Sequence, residues 1–262
     1  MAHVYPTDLT DAQWEVLRDL IPRQSGPGRP RRVSLRAVVN GLLYLERTGC
    51  QWRMLPKEFP GWTTVRYYFD RWTRTGTWRC LNDALRARRR QAVVRDAQPS
   101  AAILDSQTSK TTEARGERGY DAGEKIKGRK RHRVVDTMGN LLGVKVVRAD
   151  VSDPAGARRL LAEIGPELLR LQRLWADSVY RGSFIDWVKE EFGWTVEIVA
   201  KLTGQKGFVA LPKRWIVERS LAWLGRNRRL SKDYEATTAC SEAMVYLASI
   251  HLLLKQLAPA LS

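Results

Sequence analysis

The apolar residues of this chain change their spacing near residue 97, and that change limits the possible folds more than any other feature. Before residue 97 they recur every three or four residues, as on one face of a helix. Beyond it, short apolar runs bounded by turn residues predict strands, and helical spacing returns between them. The sequence therefore predicts a helical domain over residues 1–97 and an α/β domain over residues 98–262.

The first domain is predicted to contain helices separated by glycine and proline. The first helix begins at Thr10, which has the spacing of a capping box with Gln13, and the second runs from Ser34 to Gly49. The other two cover residues 63–75 and 77–92. The third combines aromatic side chains with Arg66 and Arg71, which are candidates for reading DNA. Short helices joined by tight turns predict a helix-turn-helix-like domain. A plain helical bundle whose arginines are solvated is the alternative.

The second domain is predicted to be a mixed sheet flanked by helices, an α/β layer structure. Its strands are predicted at residues 101–104, 133–137, 141–148, 174–176 and 195–200, followed by an apolar run at 208–211. Its helices are predicted at residues 155–170 and 184–192, from about residue 214, and at 241–257. Met138, Gly139 and Asn140 are predicted to form the turn of a hairpin.

The net charge predicts an anionic partner. The chain has 45 Lys and Arg against 28 Asp and Glu, a net charge of +17. Residues 1–97 contain 18 basic and 9 acidic residues, and residues 98–262 contain 27 and 19, so both domains share the excess. Nucleic acid is the first candidate for the partner.

The remaining composition indicates a cytoplasmic protein. The three cysteines have no paired spacing, which predicts neither a disulfide framework nor a zinc site. The amino-terminal residues lack the apolar centre of a signal peptide, and no run of eighteen apolar residues occurs. We therefore expect a soluble protein in a reducing compartment, without a membrane segment.

Three acidic residues have surroundings typical of an active site. Asp105 and Asp177 each follow a short apolar run, which places both carboxylates at the carboxyl ends of predicted strands, where open α/β sheets bind ligands. Glu218 lies one turn into an amphipathic helix. Three such carboxylates can hold divalent magnesium for phosphodiester chemistry. Taken singly, each aspartate is more often a turn residue or a helix cap, and the glutamate more often half of a surface ion pair.

A basic run, KIKGRKRHR at residues 125–133, precedes the second predicted strand. The interpretation favoured here is an exposed ridge that grips phosphate beside the acidic centre, and a solvated charge run is the alternative. The basic residues of this ridge are Lys125, Lys127, Arg129, Lys130, Arg131 and Arg133. His132 is expected to contact phosphate or to have a structural role.

Several long stretches in order resemble the transposases of bacterial insertion sequences in the family numbered five. They include ILDSQTSKTTE at 103–113, RGYDAGEKIKGRKRHRVVDTMG at 118–139, LWADSVYRG at 174–182 and RWIVERSLAWLGRNRRLSKDYE at 214–235. The resemblance covers nearly the whole chain. It implies an RNase H-like catalytic domain, preceded by a helical domain that binds the terminal inverted repeats of the element.

The resemblance also implies roles for single residues. The Asp, Asp, Glu triad of the family falls on Asp105, Asp177 and Glu218, which are then expected to bind two magnesium ions, with manganese as a substitute. A related signature of Tyr, Arg, Glu and Lys is partly present. Arg214 occupies the arginine position, but leucine and glycine stand at the tyrosine and lysine positions. Arg226, one residue beyond the lysine position, is expected to bind phosphate in its place.

The hypothesis from the sequence is a transposase that cleaves the ends of its own element and joins the 3′-hydroxyl to target DNA. Because two ends must be joined, a homodimer or larger assembly on DNA is expected. A nuclease of the same fold without strand transfer is one alternative. A non-catalytic DNA-binding regulator is the other.

Overall fold

The computed structural model describes residues 5–22, 32–112, 116–199 and 214–259. The predicted apolar run at 208–211 lies outside the described residues. The chain forms two compact units. The first comprises Met1–Arg95, Gly225–Ser231 and Ala243–Ser262, and the second comprises Asp96–Leu224 and Lys232–Glu242.

The helices of the first unit begin within one residue of their predicted positions. They are α1 (Asp11–Arg18), α2 (Leu35–Thr48), α3 (Trp62–Arg74) and α4 (Thr77–Ala92). The predicted capping box is confirmed: Thr10 Oγ1 accepts from the Gln13 backbone N–H at 3.1 Å, and Gln13 Oε1 accepts from the Thr10 N–H at 3.2 Å. Two orphan amides of α1 are thereby satisfied. Gly49 ends α2 with a φ of 72°, a conformation that glycine adopts without strain.

Helix α8 (Thr238–Leu257) changes the expected division of the chain. The sequence placed it wholly in the second domain, but from Ala243 onward it belongs to the first unit. This part of the helix is apolar on nearly every side and is buried, as expected of a helix that other helices enclose. Ser249 also donates a hydrogen bond to Asn82 Oδ1 of α4 at 2.7 Å. The first half of the chain and its last helix therefore share one core.

The second unit contains a sheet with six strands among the described residues. These are β1 (Ala101–Lys110), β2 (Gly119–Asp121), β3 (Ile126–Asp136), β4 (Leu141–Arg148), β5 (Arg173–Ala176) and β6 (Thr195–Ile198). Strand β3 pairs antiparallel with β1 and β4, and also with the short β2. Strand β5 pairs parallel with β1 and β6. The order β4, β3, β1, β5, β6 with these directions is an RNase H-like sheet, so the predicted fold class is confirmed.

Two strands are longer than the sequence predicted. Strand β1 runs through Asp105 to Lys110, because its second half pairs with the basic residues of β3. Strand β3 in turn begins at Ile126, so most of the basic run lies inside a strand. Gly128 permits the close contact of the two strands, since a Cβ there would lie 2.0 Å from the Ser109 carbonyl oxygen. Both differences have one cause, the extended antiparallel pairing of β1 with β3.

Helices cover the sheet. Helices α5 (Asp153–Ile164) and α6 (Ser183–Phe192) contribute to a buried apolar cluster that includes Leu104, Leu160 and Leu174. Helix α7 (Arg214–Gly225) is tied to the turn between β3 and β4, where Ser220 Oγ donates to the Gly139 carbonyl at 2.9 Å. Among the described residues, none of the helices has the length and apolar character needed to cross a membrane.

Glu46 of α2 is a buried acid in the first unit. Its side chain is fully buried, and within the described residues neither carboxylate oxygen has a hydrogen-bond partner. Burial raises the pKa of Glu46 well above its usual value, while the charge of Arg47 acts in the opposite direction. The folded chain therefore disfavours the ionised carboxylate.

Glu46→Gln is expected to raise the free energy of unfolding near pH 7 by about 1–2 kcal/mol, because only the unfolded wild type ionises freely there. For wild type, the protonated Glu46 contributes its full stability below the pKa of about 4.3 that this carboxyl has in the unfolded chain. That stability is lost as the pH rises toward the higher pKa of Glu46 in the folded chain. Urea denaturation near pH 7 and near pH 4 measures the effect, which should vanish at the lower pH. A less stable variant near pH 7 would contradict this account.

Candidate active site

Asp105 and Asp177 lie at the same height on neighbouring parallel strands. The register of β1 with β5 pairs Ala101 with Arg173 and Ile103 with Trp175. Continued by two residues, it sets Asp105 opposite Asp177 on the same face of the sheet. Asp105 lies within β1 rather than after it, whereas Asp177 directly follows β5 as predicted. Both side chains are half-buried.

The pKa of the buried Tyr180 hydroxyl reflects the charges of three aspartates. Burial raises the pKa of the Tyr180 hydroxyl, and the charge of Asp153 raises it further. The nearby Ser106 side chain lowers the pKa, and the charges of Asp105 and Asp177 raise it again. The pKa of this phenol therefore depends on its burial and on the charges of all three aspartates. Sequence reasoning did not identify Asp153 or Tyr180 as neighbours of the pair.

The third predicted carboxylate remains a prediction. Glu218 and Arg214 lie on α7, but their side chains lie outside the part of the structure that is described. Within the described residues, no group of three or more His, Cys, Asp and Glu side chains is arranged to hold a metal ion. The described part of the site is therefore an aspartate pair. Carboxylate oxygens of this kind fit the ligand preference of magnesium and manganese.

The predicted phosphate-gripping ridge is corrected by the structure. Arg129, Lys130, Arg131 and Arg133 are all buried, since β3 lies between two strands of the sheet and both of its faces are covered. Only Lys125 and Lys127 of the six predicted basic residues are exposed. A charge run usually indicates a solvated surface, and here it forms the interior of a sheet instead.

Lys130 lies between two acids of the second unit. Its ammonium nitrogen is 3.2 Å from Asp121 Oδ2 and 3.3 Å from Asp153 Oδ1. The two acids also accept hydrogen bonds from β1, from Thr108 at 2.6 Å and from Ser106 at 2.7 Å respectively. This network joins β1, β2, β3 and α5 at the end of the sheet beyond Asp105.

Arg129 holds the segment that precedes α8. It forms an ion pair with Asp233 at 3.2 Å and donates to the carbonyl oxygens of Glu235 at 2.8 Å and Ala236 at 3.0 Å. Its Nε also donates to the Glu117 carbonyl at 2.7 Å. These contacts satisfy the donors of a guanidinium that is almost inaccessible to solvent. Arg129 therefore has a structural role.

Arg133 lies directly opposite Asp105 across the β1–β3 pairing. Burial lowers the pKa of its guanidinium to about 10, the charge of Asp105 raises it, and the charge of Arg131 lowers it. Its Nη2 donates to Gln107 Oε1 at 3.3 Å. His132, on the other face, is fully buried, and burial lowers its pKa to about 4. His132 is thus a neutral interior residue and not a phosphate contact near neutral pH.

In the first unit, α3 has an exposed aromatic and basic face. Arg66 is engaged within the unit, donating through Nε to both oxygens of Asp70 at 2.8 Å and lying 5.0 Å from the Trp52 ring centre. Arg71 is half-buried and lines a cavity of about 280 Å³ with Tyr68 and Trp72. The exposed residues of α3 are instead Trp62, Thr63, Tyr67 and Arg74. Tyr67 is 53% exposed, which the sequence alone did not indicate.

Arg226 follows α7 and belongs to the first unit. Its side chain is exposed, and its backbone carbonyl accepts a hydrogen bond from Arg47 Nη1 at 2.7 Å. The backbone at this position is therefore anchored while the side chain faces solvent. A phosphate-binding role for Arg226 stays a prediction.

The fold and the aspartate pair define an RNase H-like domain, and comparison with known proteins gives the family. Residues 96–253 match the model of the Transposase DDE domain family, so the chain belongs to that family. Residues 9–82 match a second family model, described as a transposase of the IS4/5 family.

Two bacterial relatives match part of the chain. The chain is 36% identical over 92 residues to the insertion element IS402 uncharacterized 16.2 kDa protein of Burkholderia cepacia, covering 32% of this chain and 61% of that protein. It is 32% identical over 68 residues to the uncharacterized protein y4sN of Sinorhizobium fredii, covering 26% of this chain and 54% of that protein. The chain thus spans between about half and three fifths of these relatives.

Solved structures give only a distant similarity. The Mos1 strand transfer complex aligns with a TM-score of 0.28 and 11% identity, covering 90% of this chain and 79% of that chain. The Mos1 paired-end complex with left transposon end aligns with a TM-score of 0.26 and 10% identity, covering 67% and 61%. The assignment of an RNase H-like fold therefore rests on the strand order and not on these similarities.

Asp121→Asn is expected to lower the free energy of unfolding near pH 7 by about 2 kcal/mol. Burial raises the pKa of Asp121, but hydrogen bonds from Thr108, the Glu124 backbone and Lys130, with the Lys130 charge, lower it to about 2. The stabilisation is present above the unfolded pKa of about 3.9 and is lost as the pH falls toward 2. Denaturant titrations between pH 2 and pH 7 follow this loss. Asp186→Asn, at an exposed position of α6, is the control and should have little effect at any pH.

Proposed function

We propose that this chain is a DNA transposase that acts on the ends of its own insertion sequence. The observation that carries the proposal is the parallel register of β1 with β5 in an RNase H-like sheet, which, continued by two residues, sets Asp105 opposite Asp177. Membership of the Transposase DDE domain family supports the same reaction class. We propose the bacterial cytoplasm, where chromosomal DNA lies, as the place of action.

The proposed reaction has two phosphoryl-transfer steps. In the first, a water oxygen attacks the phosphorus at the element's end, the bond to the 3′ oxygen breaks, and a 3′-hydroxyl is released. In the second, this hydroxyl attacks a phosphorus of target DNA and displaces a target 3′ oxygen. The displaced oxygen takes up the proton that the hydroxyl loses. Both steps are in-line displacements at phosphorus, so one site can serve both.

Asp105 and Asp177 are proposed to hold divalent magnesium, with Glu218 of α7 as a third ligand. Magnesium or manganese, when bound, would activate the attacking oxygen and stabilise the leaving one. The chain itself supplies rigid placement, because Asp105 lies inside a paired strand and Asp177 accepts the Val179 backbone N–H at 2.9 Å. A carboxylate oriented by a backbone donor loses little entropy when it takes up a cation.

We propose that the first unit binds the terminal inverted repeats. The exposed side chains of α3 combine aromatic rings with positive charge, and Arg53 also lies over the Trp62 ring at 5.7 Å. A helix of this kind fits the major groove of DNA. Arg66, Arg71 and Arg74 are the proposed contacts on α3, with Tyr67 at the centre of the exposed face. The proposed phosphate contacts elsewhere in the chain are Lys125, Lys127, Arg214 and Arg226.

Because two element ends must be joined to one target, we propose a homodimer or larger assembly on DNA. Analytical ultracentrifugation with and without end DNA measures the number of subunits per complex.

Replacing any one of the three proposed metal ligands should reduce metal-dependent nicking more than about a hundredfold. The variants are Asp105→Asn, Asp177→Asn and Glu218→Gln. DNA binding should be retained, because only a metal ligand is removed. The substrate is duplex DNA carrying the sequences that flank this reading frame, and gel electrophoresis measures nicked product and bound complex separately. Asp186→Asn, an exposed aspartate in the same unit, is the matched control. Normal nicking by any of the three variants would remove that residue from the site.

A pre-nicked end with a free 3′-hydroxyl distinguishes the transposase from a nuclease of the same fold. A transposase joins this end to a target plasmid, and the joined product is visible on a gel. Hydrolysis without joined product would favour the nuclease. Binding without either reaction, with magnesium and with manganese, would favour a regulator.

Arg71→Ala, Arg74→Ala and Tyr67→Ala are expected to weaken binding of the same end DNA. Each arginine that neutralises a phosphate contributes about 0.9 to the slope of log affinity against log salt, so its loss should lower the slope by about that amount. Tyr67→Ala should leave the slope unchanged, because it removes no charge. Fluorescence anisotropy across a salt series measures affinity and slope together. Arg18→Ala on α1, where an exposed arginine pairs with Glu15, is the control. Unchanged affinity in all three variants would exclude α3 as the contact.

A further inference from the structure

Three buried arginines of β3 lie on one face of the sheet and oppose alternate residues of β1. Arg129 pairs with Ser109, Arg131 with Gln107, and Arg133 with Asp105. Since paired residues of adjacent strands share a face, the three guanidinium groups share the face that bears Asp105.

The three arginines differ in what they contact. Arg129 and Arg131 reach the segment before α8, through the ion pair with Asp233 and a hydrogen bond to the Lys232 carbonyl at 3.0 Å. Arg133 has a different environment, because Asp105 lies directly opposite it and its Nη2 donates a hydrogen bond to Gln107 Oε1 at 3.3 Å. Two of the arginines therefore stabilise the fold, and the third is electrostatically coupled to the aspartate pair.

Burial makes this coupling strong. Arg133 is only 4% exposed, and a charge in such a position requires a compensating charge nearby. Asp105 is the acid at the register position directly opposite Arg133. Because solvent screens buried charges poorly, removal of either partner changes the field at the other.

We propose that Arg133 is a positioning residue that serves as the counter-ion of Asp105 and weakens cation binding by the aspartate pair until DNA is present. This inference rests on the proposed function, in which Asp105 and Asp177 hold a divalent ion. With Arg133 in place, the charge of Asp105 is already partly neutralised and an arriving cation is repelled. A DNA phosphate adds negative charge at the site and offsets that repulsion, so cation and DNA bind cooperatively.

The test is the affinity of the full-length protein for Mn²⁺ without DNA, measured from the electron paramagnetic resonance signal of the free ion. Arg133→Gln is expected to bind Mn²⁺ about tenfold more tightly than wild type, because a neighbouring positive charge is removed. Arg133→Lys, which keeps the charge, should restore an affinity within about twofold of wild type. Arg131→Gln removes a buried arginine that lies opposite Gln107 rather than Asp105. It should change the affinity for Mn²⁺ less than about threefold, because its charge is more distant from Asp105.

Circular dichroism and thermal melting establish that each variant is folded. If Arg133→Gln does not fold, Arg133→Met fills the same volume without charge and replaces it in the comparison. Short duplex end DNA should then raise the Mn²⁺ affinity of wild type more than that of the uncharged variant, because the repulsion that DNA relieves is absent there.

Two further variants separate failure of this inference from failure of the proposed function. Asp105→Asn and Asp177→Asn should each lose the Mn²⁺ site. Binding that depends on both aspartates but is equal or weaker in the uncharged Arg133 variant would overturn the role of Arg133 alone. Binding that survives in both asparagine variants would overturn the metal site itself, and the role of Arg133 with it.

Discussion

The antiparallel pairing of β1 with β3 is the constraint on which the second unit depends. It places the basic centre of β3 inside the sheet, where a charge without a partner is costly. Acids from elsewhere in the unit compensate these charges: Asp121 and Asp153 at Lys130, and Asp233 at Arg129. The same pairing sets Asp105 opposite Arg133. One strand therefore fixes the positions of β2, α5, the segment before α8 and the candidate site.

Such buried ion pairs add little to the free energy of unfolding, because the cost of desolvating the charges offsets much of their attraction. Their main effect is to disfavour alternative strand registers in which the charges would lack partners. A slip of β3 by one residue would turn Arg129 and Arg133 to the opposite face of the sheet. Arg129 would then lose Asp233, and Lys130 would lose both of its acids. The charges therefore oppose a one-residue slip of β3. Because Asp105 belongs to the same ladder, the register that satisfies the arginines also places the aspartate pair.

The features predicted correctly from the sequence are those that neighbouring residues determine. The capping box at Thr10, the end of α2 at Gly49 and the strand before Asp177 each depend on contacts within a few residues. The extension of β1 and the burial of the basic run depend on pairing between distant segments, which no local pattern reveals. The same is true of α8, whose apolar residues indicate burial but not the helices against which they pack.

The net charge of +17 overstates the positive charge that a polyanion can contact, since the basic centre of β3 is buried and compensated within the unit. The charge that remains accessible includes Lys125, Lys127 and Arg74. An aspartate pair repels phosphate, whereas a nearby buried arginine lowers that repulsion without occupying the surface where DNA would lie. The buried arginine and the aspartate pair thus partly neutralise each other. A cation bound by the aspartates and the phosphate of bound DNA would neutralise the remaining charges.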